Sequence, residues 1–156
     1  MKTKKTWKEK LYDNKDLPKV QKIEKQQEKI WGEGTIVIPA PIKVDEIMRK
    51  VPKGKLITIN GIREQLAKKH KAAIACPITT GIFARIAAGV AEEDLAEGKN
   101  KITPYWRTLK ADGIINEKYP GGIQKQIELL EAEGHTVAPK GKKNFKVLDF
   151  EKKLVK

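Results

Sequence analysis

A mainly α-helical domain with a minor β component is the fold class this 156-residue sequence predicts. Three observations carry the prediction. Apolar residues recur at helical spacing within residues 44–51, 61–70, 77–97 and 123–133, the 3.6-residue period of an amphipathic helix. Two of these helices, 61–70 and 77–97, are joined by the short connection "KAAIAC" (71–76), and the second is thick with small residues. A close helix pair of this kind outlines a helix-turn-helix. The stretch "HTVAPKGKKNFKVLDF" (135–150) turns at Gly141 and then alternates through Phe145 and Val147, a β-hairpin signal that could serve as a wing. Plain core packing produces the same helix pair, and the pattern by itself leaves both readings open.

Residues 1–30 are polar and lysine-rich, but Trp7, Leu11, Tyr12, Leu17, Val20, Ile23 and Ile30, with Trp31 just beyond, supply apolar anchors. The segment is expected to wrap the domain, with a short helix around 19–30. "GEGTIVIPAPI" (32–42) reads as a brief β-branched strand closed by two prolines. In "VDEIMRKV" (44–51), Val44, Ile47, Met48 and Val51 share one helical face. Asp45 and Glu46 suit the positive N-terminal end of its dipole, Arg49 and Lys50 the C-terminal end. "PKGK" (52–55) is a turn and "LITI" (56–59) a short extended piece. Asn60 is the predicted N-cap of 61–70, where Ile62 and Leu66 share a face. Pro77 suits a first-turn position. The helix it opens carries Ile78, Ile82, Ile86 and Val90 on one stripe beside Phe83, and ends at Gly98. After the "ITPYWR" loop come a turn at "KADG" (110–113), "YPGG" (119–122), and a helix burying Ile123, Ile127 and Leu130 that stops at Gly134. The division expected is an extension over 1–43, packed on the core, and a domain over 44–156.

Apolar residues make up 39% of the chain and charged residues 34%, with a net charge of +13. Residues 1–30 carry ten Lys/Arg against five Asp/Glu, and residues 135–156 seven against two, so the two ends supply +10 of the total. Such an excess favours a polyanionic partner, although lysine-rich ends also serve solubility alone. No apolar run approaches the length of a membrane span, and "MKTKKTWKEK" lacks the apolar core of a secretory signal. One cysteine excludes an internal disulfide framework and fits a reducing cytoplasm. With only His70, His135 and Cys76 as nitrogen and sulfur ligands, no spacing suggests zinc.

Four stretches, in order, carry a family resemblance: "VPKGKLIT" (51–58), "TPYWR" (103–107), "YPGG" (119–122) and "LLEAEGH" (129–135). From about Val44 to His135 the sequence resembles the C-terminal domain of O6-alkylguanine-DNA alkyltransferases. It is most similar to their nucleophile-less relatives, the alkyltransferase-like proteins. The resemblance implies a winged helix-turn-helix that enters the minor groove of DNA. A damaged guanine is flipped into a pocket, because its reactive atom is inaccessible inside the stack. In the family a cysteine thiolate, activated through a histidine–water–glutamate relay, then takes the alkyl group.

On this chain the cysteine position is Tyr105 and the histidine position Trp106, while Arg107 and Glu133 remain. A phenol of pKa about 10 is scarcely ionised at neutral pH, and indole relays no proton, so the resemblance implies no alkyl transfer. Glu133 is expected to hold the loop by accepting hydrogen bonds from backbone amides. The family's phosphate-pressing tyrosine falls at Ile59. Its gap-filling arginine falls near Thr80 or Gly81, with Arg85 about a turn later. Glu92, Glu93 and Asp94 would repel phosphates if they faced DNA. Cys76, at a helix start, is read as a structural cysteine, with a reactive thiol as the alternative. The rings of Tyr105 and Trp106 could stack on an extruded base or fill the old pocket and join the core.

The expectation is therefore a non-enzymatic, cytoplasmic, monomeric protein that binds double-stranded DNA, without cofactor, metal or membrane. The resemblance adds O6-alkylguanine or other damaged bases as ligand and other repair proteins as partners. Thr79, Thr80, Gly81 and Arg85 would dock in the minor groove, with Arg107 and the backbone near Gly121 and Gly122 on phosphates. Tyr105, Trp106, Tyr119 and Glu133 would line the base pocket. The alternative is a protein-interaction or structural module on a retired repair fold, its pocket filled by Tyr105 and Trp106.

Overall fold

The computed structural model describes residues 6–14 and 16–155; residues 1–5 and Lys15 of the basic extension, and Lys156, lie outside the described residues. Helices dominate. The chain opens with α1 (Trp7–Tyr12), capped by the Thr6 hydroxyl, which accepts from the Glu9 amide. Next come β1 (Lys19–Lys22), the single turn α2 (Glu28–Trp31), β2 (Thr35–Ile38) and α3 (Pro41–Arg49). The helix expected around 19–30 is thus a strand over its first four residues, a turn, and a single helical turn at its end. Lys19 to Lys22 pair antiparallel with Ile38 to Thr35, and this ladder overrides the helical leanings of Lys and Gln. The ordering force is the neighbouring strand, whose Ile36 and Val37 are buried.

After α3, the two-residue β3 (Ile57–Thr58) leads directly into α4 (Ile59–His70). The cap is Thr58, whose hydroxyl accepts from the Gly61 amide at 3.0 Å. The predicted cap, Asn60, lies inside the first turn and accepts from Arg63 instead. Strand β4 (Ile74–Ala75) completes a three-stranded sheet in the order β1-β2-β4 by pairing parallel to β2. Then comes α5 (Pro77–Ala96), with Pro77 at its first turn and Gly98 beyond its end at φ 85°. Its core face is made of small residues: Thr80, Ala84, Ala87, Ala88 and Ala91 are buried, which lets α3 approach closely. On another side Leu11 of α1 packs with Ile86 and Val90. The predicted stripe therefore splits. Ile86 and Val90 are buried, whereas Ile78 and Ile82 are 62% and 50% exposed.

The Tyr105–Arg107 segment is a 3-10 turn running into β5 (Thr108–Leu109), parallel to β3. Helix α6 (Gly122–Ala132) and the hairpin β6 (Val137–Lys140) and β7 (Asn144–Val147) follow. On α6, Leu130 and Gln126 are the buried positions, and Ile123 and Ile127 are half-buried. The Gln126 side chain accepts from the Asn116 amide and donates to the Trp106 carbonyl, which explains its burial. The hairpin docks through Ile115, whose amide donates to the Phe145 carbonyl, over a core of Leu56, Leu109, Ile115, Leu130 and Val147.

Candidate nucleic-acid interface

The 103–107 loop is pinned at both ends. Upstream, the Thr103 hydroxyl donates to buried Asp45 at 2.6 Å, and Asp45 also accepts from Arg49 at 2.8 Å. The sequence read Asp45 only as a helix-end charge; in the fold it anchors this loop to α3. Downstream, Glu133 gathers the donors. It accepts from Trp106 Nε1 at 2.9 Å, Arg107 Nε at 2.9 Å, Arg107 Nη2 at 2.7 Å and the Gly54 amide at 3.3 Å. Burial works against its charge, but these donors outweigh it and hold the carboxyl below its usual range. Glu133, expected to hold the loop through backbone amides, holds it through the Trp106 and Arg107 side chains, and its backbone donor, Gly54, belongs to the 52–55 turn.

Tyr105 lies between these anchors, 1% exposed. Its ring meets Trp106 and Tyr119 edge-on, at 5.4 and 5.5 Å between centroids, the geometry that aromatic quadrupoles favour. Its hydroxyl donates to Glu92 at 2.5 Å, and Lys125 donates to the same carboxylate oxygen at 2.6 Å. Desolvation, then the Glu92 carboxylate, pushes the phenol far above its ordinary pKa. Burial also opposes ionisation of Glu92, but the Lys125 and Tyr105 donors prevail and keep it charged. The phenol is therefore both protonated at neutral pH and buried. Tyr119, at 2% exposure, closes the other side. The four predicted pocket residues do come together, but as a filled core: Tyr105 and Tyr119 offer no open face on which a base could stack, and Trp106 and Glu133, half-buried, are bonded to each other.

The open volume lies next door. A groove of about 580 Å³ runs between the start of α4, the first two turns of α5 and the 110–118 segment, with Ile59, Ile78, Gly81 and Ile82 forming its apolar wall. Asn60, Arg85, Lys110, Asn116, Glu117 and Lys118 supply its polar rim. Lys110 reaches Glu117 at 3.4 Å across an exposed gap, an ion pair of little strength.

Of the predicted groove-docking residues, Gly81 and Arg85 line this opening and Arg85 is exposed. Thr80 is a correction: it is 0% exposed, on the core face of α5, and cannot reach a ligand. Thr79 is half-buried. Arg107 is a second correction. Its side chain is only 13% exposed and its guanidinium is spent on Glu133 and, at 2.7 Å, on the Val51 carbonyl, so it is an internal brace. The Gly122 amide already donates to the Tyr119 carbonyl, while Gly121 is exposed at φ 83°, at the head of α6. The acidic end of α5 turns inward: Glu92 serves Tyr105, and Asp94 pairs with Lys8 at 3.0 Å and Lys99 at 3.2 Å. Cys76 is buried at the N-cap of α5. Among the described residues, no group of His, Cys, Asp and Glu is arranged to hold a metal ion, and no helix is long and apolar enough to cross a membrane. The sequence reading missed Asn60, Ile78, Ile82, Lys110, Asn116 and Lys118. A signal for the isoleucines existed, because the alanine stripe of α5 already defines its core face.

No protein-family model matches the chain, and no curated protein sequence matches it. Among solved structures, it is similar to S. pombe Atl1, whose crystal structure is of a complex with damaged DNA containing O6-carboxymethylguanine. The TM-score is 0.52 at 20% identity, over 74% of this chain and 94% of that one. The two share a fold, and the resemblance read from residues 44–135 agrees with it.

Proposed function

We propose that this protein is a non-enzymatic DNA-binding protein of the alkyltransferase-like kind. It recognises duplex DNA, O6-alkylguanine or another damaged base included, and transfers no alkyl group. The observation that carries the reading is the pairing of a fold shared with a protein bound to damaged DNA with a sealed Tyr105 where the family keeps its nucleophile. In this reading α4 and α5 are the helix-turn-helix and the β6–β7 hairpin is the wing. Gly81 and Arg85 on α5 meet the minor groove beside the opening. Lys110 and Lys118 on its rim, with Lys140, Lys142 and Lys143 on the hairpin, lie against phosphates. No ion pair engages those three hairpin lysines among the described residues, and all are exposed. The protein works as a cytoplasmic monomer that marks its site for other repair proteins.

Binding to otherwise identical duplexes with and without O6-methylguanine, across a salt series, tests this. Tighter binding to the damaged duplex is expected. Equal affinity with a steep salt slope would reject damage recognition and leave general DNA binding.

The filled pocket favours a second reading, a protein-interaction module on the same fold. Tyr105 and Tyr119 pack as core residues pack, and nothing in that arrangement requires a nucleic acid. Failure to retard any duplex at low salt would select it.

A further inference from the structure

Helix α5 has one face that the rest of the chain covers only in part. Positions 78, 82, 85 and 89 follow one another around the helix at the spacing of a single stripe. At Gly89 the stripe is closed: the Trp7 ring lies where a Cβ would stand, and α1 packs alongside. At Ile78 and Ile82 nothing among the described residues lies on top. They are 62% and 50% exposed, one turn apart, and with Ile59 they form the apolar wall of the groove. Single exposed apolar side chains need no explanation, but a contiguous apolar surface rimmed by charge marks a binding face. The rim here is cationic. Arg85, Lys110 and Lys118 stand around it, and Glu117 offsets only one of them.

We propose that Ile78 and Ile82 form an apolar wedge that enters a base step of bound duplex DNA, with Arg85, Lys110 and Lys118 on the flanking phosphates. The inference rests on the DNA-binding reading and adds its mode. A base step opened by a wedge exposes the apolar faces of its bases, which Ile side chains can cover. The phosphates on either side are the anions that the cationic rim fits. Apolar wedges placed this way partly unstack the step and bend the duplex. The Ile78 and Ile82 side chains project from rigid helical turns, so they arrive pre-positioned and little freedom is lost on insertion. A protein partner on the same face would use the isoleucines but would give no role to a rim of net positive charge.

The test measures affinity and bend together, on a short duplex carrying a fluorophore pair at its ends. The wild-type chain is expected to bend the duplex by roughly 20–90°. I78A/I82A, altered only at exposed positions, is expected to keep its helical circular dichroism. It should lose most of the bend and about tenfold or more in affinity, given the apolar area two isoleucines bury. Its salt slope should not change, because no cation has been removed. I78M/I82M, which keeps an apolar side chain at both positions, should retain most of the bend. A straight duplex in the wild-type complex, or an unchanged bend and affinity in I78A/I82A, would overturn the wedge while leaving DNA binding in place. Failure of the wild-type chain to bind any duplex would remove both readings.

Discussion

Two substitutions at Tyr105 separate what its hydroxyl does from what its ring does. Tyr105→Phe removes only the 2.5 Å bond to Glu92. A hydrogen bond to a charged group contributes about 1.5–3 kcal/mol. Because Lys125 still serves the carboxylate, the low end applies, about 1.5 kcal/mol. Tyr105→Ala also removes a side chain with 1% exposure and two edge-on ring contacts. Emptying an aromatic site costs about 3–5 kcal/mol, more where the surroundings cannot collapse. Here they are held apart by Thr103 on Asp45 and by the Glu133 clamp. For a chain of this size each kcal/mol moves the melting temperature by roughly 2–4 °C. Tyr105→Phe should therefore melt roughly 3–6 °C lower and Tyr105→Ala roughly 6–20 °C lower. Thermal and urea unfolding followed by circular dichroism measures both. A Tyr105→Ala variant within about 1 kcal/mol of wild type would refute the reasoning, because it would mean that the ring fills no core and the pocket stands open.

Glu133→Gln should cost about 3 kcal/mol at pH 7, since it weakens a largely buried ion pair and its shared donors. The folded carboxyl titrates below its ordinary 4.5. Its contribution is therefore complete above that value and is lost as the pH falls through the folded pKa. The gap between variant and wild type should shrink in acid, and urea midpoints that differ equally at neutral and acid pH would contradict this. Replacing Lys140, Lys142 and Lys143 together by Ala should leave the melting temperature within about 1–2 °C, as they are exposed. It should flatten the log–log salt dependence of duplex binding by about 2–3, near 0.9 per lost phosphate contact. Gly89→Ala would put a Cβ into the Trp7 ring. Trp7 fluorescence should shift toward that of a solvated indole, with α1 more readily cleaved by protease; an unchanged spectrum would mean that α1 packs elsewhere.

The sequence was most informative where local chemistry and tertiary context agreed. Pro77 and Gly98 bracket α5, Gly134 ends α6, and Gly141 turns the hairpin, because each residue type suits its backbone conformation whatever surrounds it. It misled where a neighbour decides. Residues 19–22 have helix-forming composition but follow β2 as its edge partner. Thr58 and Asn60 are both good caps, and only the end of β3 fixes which one stands at the boundary. On α5 two stripes compete for the core. The isoleucines are more hydrophobic, but the alanines allow α3 to approach, and close packing wins. The site divided in the same way. The family resemblance put Tyr105 and Trp106 at the positions of a nucleophile and a base, whereas burial of Tyr105 depends on Glu92, Tyr119 and Lys125, distant in sequence and adjacent in space. The charges of Glu92 and Asp94 looked hostile to DNA only because Tyr105, Lys8 and Lys99 could not be placed beside them.

Recognition without transfer is tested most directly by one incubation read in two ways: the chain is mixed with duplex DNA whose O6-methylguanine carries a labelled methyl group. The account predicts a retarded protein–DNA complex with all label remaining on the DNA. Label recovered on the polypeptide would contradict it.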